Sequence, residues 1–129
     1  MPILREYSEL YNALLHVQDL PGLRFASKVA DNIRTLEREL SPVNEALRPS
    51  PEFEAFAMRV REESGNDPAK VREMEEANPD LVQARRKQLQ DAELMLAEEK
   101  EIRLRTILEN ELPAQISARQ LMSLKLILK

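Results

Sequence analysis

A repeating line of branched apolar residues constrains this chain more than any other feature of its sequence. The residues alternate spacings of four and three, as in a heptad seam, and are Val29, Ile33, Leu36, Leu40, Val43 and Leu47. This spacing places them on one face of an α-helix, where they pack against another helix as in a coiled coil. Pro42 falls within the seam without changing its phase. We therefore expect either a kink at Pro42 or a helix that restarts there with Ser41 as its N-cap.

The segments on either side also carry helical signals. Apolar residues recur every three or four positions over 3–19, which predicts an amphipathic first helix that ends at Leu20-Pro21-Gly22. Capping residues followed by proline predict three further helix starts, at Ser50-Pro51, Asp67-Pro68 and Asn78-Pro79. The capping box Ser117-Ala118-Arg119-Gln120 predicts a last helix.

The stretch 101–108 fits two structures. Ile102, Leu104, Thr106 and Leu108 alternate with other residues, which slightly favours a short strand or extended chain. Leu104, Ile107 and Leu108 would equally extend the preceding helix, predicted over 79–101.

Together these elements predict an all-α fold with at most one short strand, near 101–108. A length of 129 residues suits a single domain. We expect residues 1–48 and 79–129 to form the base and the long helices, with residues 49–78 as a kinked arm whose loop lies near 64–68. The kinked helix from Leu23 is predicted to pair antiparallel with 79–101, as an elongated hairpin with the terminal helices packed at its base.

Composition excludes several classes of protein. The chain has no cysteine, so it has no disulfide, thiolate metal site or cysteine nucleophile. A net charge of −4 argues against a broad nucleic-acid footprint. No run approaches the roughly 20 apolar residues of a membrane span, and the first residues lack the order of a signal peptide. We therefore expect a cytoplasmic protein with no membrane partner.

Groups that could support catalysis are scarce. His16 is the only histidine and lies beside the apolar face of the first predicted helix, where a boundary position is the simplest interpretation. The adjacent glutamates at 62–63, 75–76 and 98–99 point in different directions on a helix, as expected of a solvated face. We expect no enzyme activity, metal, cofactor or small-molecule substrate.

Arg85, Arg86 and Lys87 form the one basic cluster. No aromatic residue is interleaved for base stacking, and acidic residues follow within two helical turns. A solvated helix surface is therefore the simpler interpretation, and a weak phosphate contact is the alternative.

Two short motifs resemble those of an uncharacterised family of small helical proteins from tailed phages and prophages. One recurring stretch of that family resembles Leu20-Pro21-Gly22-Leu23-Arg24-Phe25-Ala26, leading to Ala30-Asp31-Asn32-Ile33-Arg34-Thr35-Leu36-Glu37, although Asp31 stands where the pattern has lysine. Ile116-Ser117-Ala118-Arg119-Gln120-Leu121 resembles its last helix. The resemblance implies a phage-encoded protein, in the host cytoplasm, and no known chemistry.

The leading functional hypothesis is a non-enzymatic protein–protein interaction or assembly module: a virion-assembly factor or a binder of a host protein. Its contact surface would be the acidic hairpin that carries the heptad seam, and we expect self-association or a standing protein partner. One alternative is a helical nucleic-acid accessory factor that uses the basic cluster. The other is an enzyme built on a carboxylate or metal site.

Overall fold

Helices form nearly all of the ordered secondary structure. The computed structural model describes residues 1–129. Its six α-helices are α1 (Leu4–Val17), α2 (Leu23–Leu47), α3 (Pro51–Ser64), α4 (Pro68–Ala77), α5 (Pro79–Leu96) and α6 (Ala118–Ser123), with a 3-10 turn at Glu109–Glu111. There is no strand, and only two isolated bridges occur, Ile3 with Glu99 and Ile107 with Leu128. The predicted all-α fold is confirmed.

Side-chain caps mark three of the helix starts that the sequence predicts, whereas at Asn78-Pro79 the Asn78 side-chain amide instead donates to the Met74 carbonyl at 2.9 Å. The Ser50 hydroxyl accepts a hydrogen bond from the Phe53 amide at 3.1 Å, and the Asp67 carboxylate accepts one from the Ala69 amide at 3.0 Å. The Ser117 hydroxyl accepts from the Gln120 amide at 3.1 Å. Each of these three cap bonds satisfies an amide that the first helical turn leaves without a backbone partner.

A tight reversal joins α3 to α4, as the sequence predicts for 64–68. Gly65 and Asn66 follow the end of α3 with φ angles of 55° and 70°. Glycine and asparagine tolerate this left-handed region better than other residues do. The chain turns back within three residues, and α3 packs against α4.

The chain divides into two compact units. Unit 1 comprises Met1–Pro42 and Leu96–Lys129, and unit 2 comprises Val43–Met95. The arm predicted over 49–78 lies within unit 2. The predicted antiparallel pairing of α2 with the 79–101 helix extends across both units and stays a prediction.

The buried face of α2 differs from the predicted heptad seam. The helix is continuous through Pro42, so it does not restart at Ser41. Its buried residues are Phe25, Val29, Asn32, Leu36, Leu40 and Val43. They take five steps over 18 residues, close to the 3.6-residue repeat of a straight α-helix rather than the 3.5 of a coiled coil. Asn32 therefore takes the buried position predicted for Ile33, which is half-buried, as is Leu47.

Residues 97–108 leave the helical path and fasten both termini within unit 1. The α5 helix ends at Leu96, before the predicted end near 101. The Leu4 amide donates to the Glu98 carbonyl at 2.9 Å, and the Ile107 amide donates to the Ile127 carbonyl at 2.7 Å. The segment bonds to a different partner at each end and forms only isolated bridges, so it is neither helix nor strand. The helical alternative for 101–108 is wrong.

The core of unit 1 has contributions from every part of that unit. The buried side chains of α1 are Leu4, Tyr7, Leu10, Leu14 and Val17. They share the core with α2, with segment 97–108 through Ile102 and Ile107, and with Leu124 and Ile127. The terminal helices α1 and α6 pack against each other.

Candidate functional site

The seam residues lie mainly inside the chain's own core. Val29 and Leu36 are fully buried, and Leu40 and Val43 are 2% and 3% exposed. Ile33 and Leu47 are half-buried. Because the four most buried residues pack against their own chain, they have almost no exposed surface with which to contact a partner. Of the seam, only Ile33 and Leu47 keep surface that another protein could contact.

Unit 2 leaves most of its apolar side chains partly open to solvent. Its buried apolar residues are Val43, Phe56 and Ala92, whereas the rest of the chain's buried apolar residues belong to unit 1. Half-buried apolar residues of unit 2 include Phe53, Ala57, Val60, Val71, Met74, Leu81, Val82 and Met95. Met58 and Leu94 are 60% and 71% exposed. Partly exposed apolar surface of this kind marks interaction sites more often than does a scatter of single residues.

Some of these side chains form a groove of about 270 Å³ within unit 2. One wall comes from α3, through Phe53, Phe56, Ala57 and Val60. The opposite side comes from α4 and α5, through Glu75, Val82, Arg85 and Arg86. The apolar spacing 53-56-60 places one face of α3 toward the groove. The volume suits one or two large side chains of a partner.

Two arginine side chains lie over the aromatic rings of the groove, and one of them, Arg85, also lines the groove. The Arg85 guanidinium lies 5.7 Å from the centre of the Phe53 ring, and the Arg59 guanidinium lies 5.9 Å from the centre of the Phe56 ring. The two rings are themselves 5.9 Å apart and tilted by 55°. Cation–π contacts hold each guanidinium over a ring face. They fix positive charge next to the apolar surface.

The three residues of the basic cluster have different environments. Arg85 is half-buried and donates from Nη1 to the Leu47 carbonyl at 2.8 Å and to Gln88 Oε1 at 3.0 Å. Arg86 lines the groove and Lys87 does not, and both are exposed. The cluster is therefore not one continuous patch, because Arg85 is directed into unit 2.

The net negative charge of the chain belongs to unit 2, but the groove lining is positive. Of the 19 basic and 23 acidic residues of the chain, 8 and 12 lie between Val43 and Met95. The groove lining contains two arginines, Arg85 and Arg86, and a single carboxylate, Glu75. The local charge at the groove thus opposes the overall charge of the unit.

Unit 1 holds its charged groups in ion pairs that fasten the chain to itself. Lys28 Nζ donates to Glu111 Oε1 at 2.5 Å and to the Thr106 carbonyl at 2.9 Å, and both charged side chains are largely buried. The Lys28 ammonium, helped by the Leu108 amide, holds the pKa of Glu111 below its ordinary value. These contacts attach the 3-10 turn to α2.

Asp31 and Asn32 bind Arg105 at neighbouring positions. The Asn32 amide donates to the Arg105 carbonyl at 3.0 Å, and the Arg105 backbone amide donates to Asn32 Oδ1 at 2.8 Å. The Arg105 guanidinium pairs with Asp31 and, with Arg34, holds the pKa of that carboxyl below its ordinary value. Asp31, which differs from the lysine of the resembled motif, thus anchors segment 97–108.

Two further pairs link elements of unit 1. Lys100 Nζ lies 2.9 Å from Glu39 Oε2, and this pair lowers the pKa of Glu39. The Tyr11 hydroxyl donates to Glu37 Oε1 at 2.9 Å, which raises the pKa of Tyr11. Both contacts join α2 to another segment of the unit.

His16 and the glutamate pairs do not converge. His16 is exposed, and its Nδ1 lies 2.7 Å from the Asn12 carbonyl one turn back on the same helix. The adjacent glutamates are exposed apart from Glu75, which is half-buried. No group of three or more histidine or carboxylate side chains is placed to hold a metal ion.

The sequence identified half of the groove. The spacing of Phe53, Phe56 and Val60 indicated an apolar face on α3. The contribution of Val82 and Arg85 was missed, because nothing local to α5 indicates that it packs opposite α3. Phe53 follows the Ser50 cap by three residues, and this spacing indicates that Phe53 and Phe56 lie at the start of a helix.

Comparison with known protein families, curated proteins and solved structures found no match. No helix is both long enough and apolar enough to cross a bilayer.

Proposed function

We propose that this protein is a non-enzymatic protein-binding module and that the groove of unit 2 is its contact surface. The observation that carries the proposal is the unequal burial of the two units. Unit 1 encloses nearly all of the fully buried apolar side chains, whereas unit 2 keeps large apolar residues half-open around a groove. A partner that fills the groove would remove that surface from water, which is the main favourable term in protein association.

The resemblance to small phage proteins suggests the biological setting. We propose a phage-encoded protein that acts in the host cytoplasm, either in virion assembly or on a host protein. Closely packed unit 1, with its buried Lys28–Glu111 pair, would serve as the scaffold that presents unit 2.

Affinity capture with matched variants tests the proposed function. Ala57 and Ala13 are both half-buried alanines on helices that line surface depressions, one in each unit. The immobilised protein and its Ala57→Glu and Ala13→Glu variants are exposed to a lysate of cells that produce the protein. We expect a specific partner, or a second copy of the chain, to be retained by wild type and Ala13→Glu and lost from Ala57→Glu. Equal retention by all three would contradict the proposal, provided that circular dichroism shows the same helical content.

A further inference from the structure

Arg85 carries a positive charge that no carboxylate neutralises. Its acceptors are the Leu47 carbonyl and the Gln88 side-chain carbonyl, both uncharged, and its guanidinium lies over the Phe53 ring. It forms no ion pair, although its side chain is half-buried. In unit 1, by comparison, the largely buried Lys28 is paired with Glu111. A half-buried cation gains most from a hydrogen-bonded anion, because the two charges interact more strongly away from bulk water.

Arg86 adds a second unpaired cation to the same lining. Its guanidinium makes no hydrogen bond or ion pair within the chain, and it borders the groove one residue beyond Arg85. The Arg59 guanidinium lies over Phe56 on the α3 side. The groove lining thus combines apolar residues with two cations, Arg85 and Arg86, while Arg59 lies over Phe56 outside the lining.

We propose that the groove binds an acidic peptide segment, which places an apolar side chain between Phe53, Phe56 and Val82 and a carboxylate against Arg85 and Arg86. This inference rests on the proposed function and names the chemistry of the partner. A carboxylate can accept two parallel hydrogen bonds from a guanidinium, so arginine at the border selects an acidic residue next to the apolar anchor. The net charge of unit 2 acts in the opposite sense at long range and favours a basic partner, which makes the inference sharply testable.

A peptide library provides the first test. Random 12-residue peptides are displayed and selected on the wild-type protein, with removal of those that also bind Ala57→Gln, an uncharged variant that fills the groove. We expect the selected sequences to share an apolar residue flanked by aspartate or glutamate. Selection of apolar sequences flanked by lysine or arginine, or by uncharged residues, would overturn the inference and leave the proposed function standing. No enrichment over Ala57→Gln would reject both.

Neighbouring charge variants provide the second test. A synthetic copy of the most enriched peptide is titrated against Arg86→Gln and against Lys87→Gln, which removes an equally exposed charge from outside the groove lining. We expect Arg86→Gln to weaken binding by about threefold to fivefold, the range of an exposed ion pair, and Lys87→Gln to leave it nearly unchanged. Raising the salt concentration should shrink the difference. Equal weakening by the two variants would show a non-specific effect of charge and contradict the carboxylate contact.

Discussion

Single polar residues hold segment 97–108 of unit 1 in place. Asn32 is the clearest case, because it is a polar residue that is only 1% exposed and takes the buried place that the heptad pattern assigned to Ile33. Its amide makes two hydrogen bonds with the backbone of Arg105. A buried amide is tolerated only when its donors and acceptors are satisfied. Asn32 therefore specifies which part of 97–108 lies against α2.

Replacement of Asn32 should destabilise the protein. Asn32→Ala removes both hydrogen bonds and leaves the Arg105 backbone groups without their partners, which we expect to cost about 2 to 3 kcal/mol of unfolding free energy. Asn44→Ala, at an exposed position of the same helix, should change it by less than about 0.5 kcal/mol. Urea denaturation of the two variants checks the prediction. A similar small loss for both would mean that the Asn32 contacts contribute little.

The ion pairs of unit 1 predict how stability depends on pH. Arg105 lowers the pKa of Asp31, and Lys28 lowers that of Glu111. In the unfolded chain these carboxyls titrate near their ordinary values of about 4. Since the unfolded state then binds more protons, the stabilisation is complete above those values and is lost as the pH falls through the lower folded values.

Urea midpoints measured between pH 6 and pH 3 test this dependence. The Asp31→Asn, Glu111→Gln double variant should lose less stability on acidification than wild type does, because it lacks two of the groups that take up protons on unfolding. Glu62→Gln, at an exposed position, serves as the control and should follow the wild-type curve. An acid dependence as steep in the double variant as in wild type would refute the explanation.

At the scale of elements, Pro42 is the main departure from helix rules. It lies inside the continuous α2 helix, is exposed, and cannot donate the amide hydrogen bond to the Arg38 carbonyl that another residue would make. Proline inside a helix costs about 3 kcal/mol relative to alanine. Part of that cost is offset because proline also restricts the unfolded chain.

Removal of Pro42 should therefore stabilise the protein. We expect Pro42→Ala to raise the free energy of unfolding by about 2 to 2.6 kcal/mol, the difference between the helical cost of about 3 kcal/mol and the unfolded-state gain of about 0.4 to 1 kcal/mol. Thermal unfolding checks the change, with Ser41→Ala as a neighbouring exposed control. A lower midpoint for Pro42→Ala would contradict the prediction, because it would show that Pro42 stabilises the folded protein.

The helix starts could be predicted from the sequence, and the end of α5 could not. A cap is a local device, so Ser50, Asp67 and Ser117 mark their helices from a few neighbouring residues. The end of α5 at Leu96 depends on bonds that 97–108 makes with both chain termini, almost a hundred residues from some of its partners. The two halves of the groove differ in the same way. The α3 face follows from spacing, whereas the position of Val82 and Arg85 opposite it depends on tertiary packing.

Across the whole molecule, the two units differ in how much of their apolar surface is left for a partner. Most residues of the heptad seam are buried in the chain's own core. Exposed large apolar residues occur in both units, but unit 2 fully buries only Val43, Phe56 and Ala92 of its apolar residues, and we propose that the contact surface lies there. The sequence indicated a protein-binding module, and the unequal burial of the units relocates the proposed contact from the seam to the groove.

Photo-crosslinking in cells that produce the protein tests this assignment most directly. Met58 in unit 2 and Met122 in unit 1 are 60% and 75% exposed, so a photoreactive phenylalanine can replace either with little disturbance. We predict discrete crosslinked adducts from position 58, next to Ala57 of the groove, and none from position 122. Adducts only from position 122, or equal yields from both positions, would contradict the proposal that unit 2 is the contact surface.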